Sequence, residues 1–277
     1  MWKLNKPYLQ TAIDDIDMII SHCRDIKDMH KTAFGELYKK YDECNGSLDM
    51  EYHNAFMESF PVQADTMKKQ YAKLSMGQEL DFIRKELLSS VNVCPYCGFG
   101  EANTLDHVLP ESVYKELATC RLNLVPLCWT CNHKKRANDY NGFIHAYYQE
   151  YPLDVVFFKC HITISTEDAL ILEFIIDENV ITPSLKDKLQ NQIETIELND
   201  RLQKQCITYL QDNFYVGDIR DDASLTFFLT DKINKAKKIF GMNHYKTAFL
   251  QGLHDCEKFN VEFLNRFLVR NVINSPI

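Results

Sequence analysis

Apolar residues return every three or four positions over residues 8–90, as in Ile13, Ile16, Ile19 and Ile20 and again in Phe34, Leu37, Tyr38 and Tyr41. That period predicts helices with one buried stripe. Asn45-Gly46-Ser47 interrupts the pattern, and Pro61 is placed to open another helix. Leu74, Leu80, Phe82, Ile83, Leu87 and Leu88 then mark one face of a helix ending near Ser90. Beyond it the period changes. Residues 104–108 have strand character, ended by Pro110. Residues 132–148 can be helical, although Asn138, Asn141 and Gly142 make that helix poor. Residues 155–164 are rich in β-branched and aromatic side chains, Ser165-Thr166-Glu167-Asp168 reads as a turn, and residues 170–176 supply a second strand. Thr182-Pro183 offers a capping hydroxyl and a proline at the first helical position, followed by Leu185, Leu189, Ile193 and Ile196 on one face. Asn199-Asp200 is the expected break before helices over 202–214, 225–240, 245–256 and 259–272. The expected architecture is mostly α, with a small ββα core and an additional β-hairpin. It falls into a helical N-terminal scaffold (1–90), the core (91–150) and a hairpin with a helical C-terminal region (151–277).

Composition narrows this picture without redrawing it. The chain has 277 residues, 45% hydrophobic and 25% charged, which suits a globular protein with a sizeable core. No apolar run reaches the length of a membrane span, and the N-terminal stretch lacks the apolar centre of a signal peptide, so a cytoplasmic protein without membrane contact is expected. The formal net charge of −8 excludes a globally basic nucleic-acid binder. Any binding to phosphates must run through a local basic patch, a metal or a partner.

Ten cysteines change the picture more. Cys94/Cys97 and Cys128/Cys131 form two Cys-x-x-Cys pairs thirty residues apart, the sequence form of a structural zinc site with four cysteine ligands. The other six have no framework spacing and read as reduced, mostly buried side chains. A closed shell of four thiolates leaves no open position, so catalysis needs a second metal. Between the pairs stand Asp106 and His107, adjacent on the expected strand, and Asn132 follows the last cysteine. Asp106 and Asn132 can each give an oxygen to a cation such as Mg2+ or Mn2+, which takes few protein ligands and keeps water and phosphate. His107, neutral near pH 7, is suited to deprotonate a water. Lys134, Lys135 and Arg136 form a compact positive patch suited to phosphate contacts. Trp129 and Tyr96, in the two knuckles, read as packing residues.

The run Cys94-x-x-Cys97, Asp106-His107-Val108-x-Pro110, Asn123-Leu124-Val125-x-Leu127-Cys128-x-x-Cys131-Asn132 and Lys135 resembles the HNH endonuclease superfamily in its zinc-containing ββα-metal branch. The resemblance covers about forty residues, in order. It implies His107 as general base, Asp106 and Asn132 as ligands of the catalytic cation, and the four cysteines as ligands of the structural zinc. Asn123 takes the middle position, where its side chain ties a loop and orients the base. Asparagine rather than histidine at 132 matches the variant seen in resolvase-like and CRISPR-type members and favours Mg2+ or Mn2+. The opening Lys3-Leu4-Asn5-Lys6-Pro7, the helical N-terminal region and the added hairpin and helical tail resemble stand-alone HNH nucleases of bacterial anti-phage systems, such as the nuclease subunits of Septu and Septu-containing retrons. That similarity implies an ATPase partner of the ABC/SMC type.

The expected function is metal-dependent hydrolysis of phosphodiester bonds within nucleic acid, DNA in the first place. Cleavage of RNA, transfer RNA included, is a second possibility, because attack by water neither needs nor forbids a 2′-hydroxyl. A zinc-knuckle scaffold without turnover is a third. The presence of Asp106, His107, Asn123 and Asn132 together weighs against it.

Overall fold

The computed structural model describes residues 3–136, 142–152, 154–215 and 219–273. The chain divides into two compact units, Met1–Tyr151 and Pro152–Ile277.

In the first unit the helical period becomes α1 (Leu9–Ser21), α2 (Asp28–Glu43), α3 (Met50–Ser59), α4 (Pro61–Gln70) and α5 (Asp81–Ser89). Pro61 does open α4 at its first turn, where its missing N–H is no loss. Leu74 and Leu80 are buried but lie outside α5, because the chain leaves the helical path through a 3-10 turn at Tyr71–Leu74 and a bend before Asp81. The face expected as one helix is therefore assembled from two pieces. Two short antiparallel strands follow, β1 (Thr104–His107) and β2 (Leu124–Leu127), paired so that Asp106 faces Val125 and His107 faces Leu124. A short helix, α6 (Trp129–Lys135), leaves the second strand and completes a ββα unit.

The helices of 1–90 and the hairpin share one apolar core: Ile16, Phe34 and Leu37 pack in the same cluster as Leu105, Leu117 and Leu124. A module of two four-residue strands and seven helical residues buries too little to hold itself, so the helices supply most of its apolar cover. Arg121, in the 3-10 turn before β2, reinforces this junction. Its guanidinium is paired with Asp15 of α1 and lies 2.5 Å from Glu86 of α5. Burial nonetheless pushes the Asp15 carboxyl above its usual range, with Arg121 pulling the other way.

The helix expected over 132–148 is replaced by α6, which starts three residues earlier and stops at Lys135. Arg136 turns the chain with φ 51. Asn138 and Asn141 lie outside the described residues, and residues 143–150 form a bend and a turn rather than a helix.

The second unit contains the expected hairpin, β3 (Phe158–Ile164) and β4 (Leu170–Ile176), followed by α7 (Pro183–Thr195), α8 (Leu198–Asn213), α9 (Asp222–Phe240), α10 (Tyr245–Asp255) and α11 (Val261–Ile273). Thr182 caps α7 as its position predicts, accepting from the Leu185 N–H. The break between α7 and α8 falls at Ile196-Glu197, where Glu197 adopts φ 50, and not at Asn199-Asp200. Asn199 has another task. Together with Gln203, one turn further along α8, it bonds the backbone of Phe174, Leu172 and Leu170 and so satisfies the open edge of β4. An unpaired edge would otherwise invite another strand. Against β3, Gly252 of α10 lets the helix approach so closely that a β-carbon there would collide with the Cys160 carbonyl. Among the described residues, no helix is long and apolar enough to cross a membrane.

Candidate active site and zinc knuckle

The two Cys-x-x-Cys turns converge. The sulfur atoms of Cys94, Cys97, Cys128 and Cys131 all lie within 4.8 Å of one another, and all four side chains are buried. Cys97 Sγ and Cys128 Sγ are 3.9 Å apart. Four thiolates about 2.3 Å from a zinc ion at tetrahedral corners would lie about 3.8 Å apart, so the donors fit zinc in spacing and in chemistry. Backbone N–H groups of Gly100 and Cys131 donate to Cys97 Sγ and Cys128 Sγ, which favours thiolates. Gly100 is there for space. A β-carbon at that position would sit 2.9 Å from Cys128 Sγ and 3.3 Å from Cys97 Sγ. No disulfide links any of the ten cysteines; Cys120, Cys160 and Cys206 are buried, and Cys23, Cys44 and Cys256 half-buried.

Beside the knuckle opens a cleft of about 290 Å³ whose walls include Tyr71, Asp106, His107, Glu111, Asn132 and Arg136. The three side chains expected to carry the chemistry, Asp106, His107 and Asn132, therefore line one cleft. His107 comes from the end of β1, with Nε2 2.8 Å from the Ala118 carbonyl. A carbonyl only accepts, so Nε2 carries the hydrogen and Nδ1 keeps a lone pair for a proton. Burial pushes the imidazole down to about 4, the Ala118 bond opposes this, and the nearby Lys135 charge adds to it. The ring is accordingly neutral at pH 7.

Asn123 holds the loop that carries Ala118. Fully buried, it accepts through Oδ1 from the Leu109 N–H (2.8 Å) and Tyr41 hydroxyl (3.0 Å), and donates through Nδ2 to the carbonyls of Leu109 (2.9 Å) and Leu117 (3.4 Å). Behind it, His145 Nδ1 accepts from the Tyr147 N–H, which leaves Nε2 to donate to the Tyr41 hydroxyl at 3.0 Å. A chain of buried hydrogen bonds thus runs from His145 through Tyr41 and Asn123 to the loop that fixes the His107 tautomer.

Asn132 is oriented by its amide nitrogen, which donates to Thr104 Oγ1 (3.1 Å) and the Leu105 carbonyl (3.3 Å). Thr104 spends its own hydrogen on the Leu127 carbonyl, so both partners can only accept. The Asn132 oxygen is the end left for the cleft. Asp106 is buried, and its carboxyl is pushed above the usual range by that burial while Lys135 pulls it down. Two oxygen donors at one cleft, one a carboxylate and one an amide, form the kind of set that suits a hard divalent cation.

The basic run does not lie together on the surface. Lys135 is drawn inside, 2% exposed, with Nζ 2.8 Å from Asp106 Oδ2 and 2.9 Å from the His107 carbonyl. The phosphate contact expected of it is replaced by an internal ion pair, because the last turn of α6 directs position 135 toward β1. Arg136 is exposed and lines the cleft, and Lys134 is half-buried. Tyr96 packs as expected, buried with its hydroxyl on the Ile144 carbonyl. Trp129 does not: it is 61% exposed, with its ring parallel to that of His133 at 4.7 Å.

Sequence reasoning missed Tyr71. From the 3-10 turn in the helical region, its ring reaches to 4.3 Å from that of His107, and its hydroxyl donates to the Leu105 carbonyl. Burial raises the phenol to about 12, so it stays protonated. Nothing in the sequence marks it. A tyrosine in a helical stretch carries no spacing signal, and only the shared core brings it to β1.

Comparison with known proteins finds a match over the same stretch of chain. The HNH endonuclease family matches residues 94–138. Protein ea31 of Escherichia phage lambda is 45% identical over 47 residues, which span 17% of this chain and 16% of that protein. No solved structure matches the chain.

Proposed function

From the HNH endonuclease domain at residues 94–138, we propose that the protein is a metal-dependent endonuclease that hydrolyses phosphodiester bonds in nucleic acid, with DNA as its first substrate. The observation that carries this reading is the convergence of Asp106, His107 and Asn132 on one cleft beside four clustered thiols.

His107 takes a proton from the attacking water on Nδ1, and the Ala118 carbonyl steadies the charge that develops on the ring. The water oxygen forms its bond to phosphorus as the bond to the leaving oxygen breaks, and that oxygen takes a proton from solvent. A divalent cation bound by Asp106 and Asn132, Mg2+ or Mn2+, would polarise the phosphate and stabilise the leaving oxygen. Asp106 offers this role as a carboxylate held by Lys135, and Asn132 as an amide oxygen held by Thr104 and Leu105. Arg136 at the mouth supplies charge for the flanking backbone. Cys94, Cys97, Cys128 and Cys131 would hold a zinc ion whose closed thiolate shell would brace the segment from β1 to α6 and leave no position for substrate.

DNA rather than RNA is favoured only by the general habit of the resembling family, since attack by water neither needs nor forbids a 2′-hydroxyl. A place in anti-phage defence and an ATPase partner rest on the likeness of the N-terminal segment and helical tail to Septu-type nucleases. A partner would also answer the net charge of −8, by adding basic surface to that of Arg136. The test is incubation of purified protein, alone and as recovered from host lysate, with supercoiled plasmid, single-stranded DNA and total RNA. Cleavage in Mg2+ that EDTA abolishes is expected. No cleavage of any substrate by either preparation would overturn the reading.

A further inference from the structure

Trp129 has no structural employment that explains it. A 61% exposed indole contributes little to a core, and its parallel neighbour, His133, is exposed as well. The stack holds the indole in one orientation, because the two rings are 7° from parallel and one helical turn apart. The same helix carries Asn132, which lines the catalytic cleft, and Arg136 follows it at the cleft mouth. Trp129 precedes Asn132 by three residues, about 4.5 Å along the helix axis, of the order of the 3.4 Å rise between neighbouring bases on one strand. His133 on this side of the helix and Arg136 just beyond its end give hydrogen-bond donors, and Arg136 a positive charge, in a chain whose formal net charge is −8.

We propose that Trp129, backed by His133, is a stacking platform for an unpaired nucleobase adjacent to the scissile phosphate. It rests on the nuclease reading and adds to it a substrate preference: single strands, or sites where a base has left its stack. Within a duplex both faces of a base are covered, and an indole can engage one only after paying for unstacking. In a single strand the face is free, and aromatic stacking is tolerant of base identity. Phosphate contacts from Arg136 would fix the strand while the indole sets its register. The exposed indole face fits a base better than an apolar protein anchor, because Asn132 of the same helix and Arg136 just beyond it line the cleft where the phosphate would lie.

The experiment is an anisotropy titration of the full chain, zinc-loaded and in EDTA too dilute to strip zinc, against a labelled 20-mer as a single strand and as a duplex. Wild type, Trp129→Ala and Trp129→Phe are compared, with zinc content and melting temperature measured on each to show intact folding. Trp129→Ala is expected to weaken single-strand binding about 5- to 150-fold, the range for removal of one stacked base. Its duplex affinity should stay within about twofold, and Trp129→Phe should restore most of the single-strand affinity. Equal single-strand binding by wild type and Trp129→Ala would overturn the proposal, as would equal losses on both probes or a wild type that binds neither. The titration involves no turnover, so it is independent of the plasmid assay. An active wild type with an indifferent Trp129→Ala sinks this inference alone. A single-strand loss in an inactive protein sinks the nuclease reading, and with it the scissile phosphate, and keeps only the stacking of a base on Trp129.

Discussion

Lys135 shows how one side chain can be legible in type and misread in place. The sequence offered three consecutive basic residues, and nothing in that run says which of them a seven-residue helix turns inward. The structure gives Lys135 to Asp106 and to the His107 carbonyl, with both partners of the ion pair nearly sealed from water. A buried pair deprived of one member leaves an uncompensated charge, which costs more than the pair was worth. Lys135→Met is therefore expected to destabilise the first unit by about 3–5 kcal/mol. Urea unfolding followed by tyrosine and tryptophan emission measures it, and a change below about 0.5 kcal/mol, the level of ordinary surface substitutions, would contradict the assigned burial. By contrast the clustering of the four cysteines and the meeting of Asp106, His107 and Asn132 at one cleft could be anticipated from residue type and order, because metal and base chemistry restricts both. Tyr71 and Trp129 could not: aromatic residues serve cores and sites alike, and only coordinates separate the two.

Elements were legible where their pattern was long or their ends were marked. The hairpin of β3 and β4 follows from alternation around a polar turn, and α7 begins where Thr182 and Pro183 say it should. Boundaries failed where tertiary contacts override local signals. Asn199 looked like a break, yet it sits inside α8 to satisfy the edge of β4. The short β1, β2 and α6 have weak patterns of their own and are expected to depend on the zinc that Cys94, Cys97, Cys128 and Cys131 would hold. Gly100 tests that dependence. In Gly100→Ala the added methyl meets Cys128 and Cys97, and overpacking of this kind costs about 1–3 kcal/mol. The variant is expected to retain clearly less than one zinc per chain on gel filtration against a weak chelator, read with a metallochromic dye, and to melt at lower temperature. Full zinc retention with an unchanged melt would contradict a four-thiolate site packed against this glycine.

For the whole molecule, the sequence conveyed a mostly helical protein with a ββα core and an extra hairpin. It did not convey that residues 1–90 and the ββα segment share one core, since amphipathic stripes say that a face is buried and not against what. Every residue assigned to zinc, cleft and loop lies within the first compact unit. A fragment of residues 1–151 is accordingly expected to melt cooperatively and to bind one zinc, whereas residues 91–151 alone should give no cooperative melt even with zinc present. Calorimetry with zinc analysis decides this, and a cooperative melt of the shorter piece would contradict the dependence of the site on its helices.

The most direct test of the central claim compares wild type with His107→Ala on supercoiled plasmid in Mg2+, with zinc measured on the same samples. Loss of a general base is expected to slow nicking about 10²- to 10⁴-fold, while zinc stays at one per chain in both proteins. Nicking by His107→Ala at the wild-type rate, with its zinc intact, would contradict the assignment of hydrolysis to this cleft.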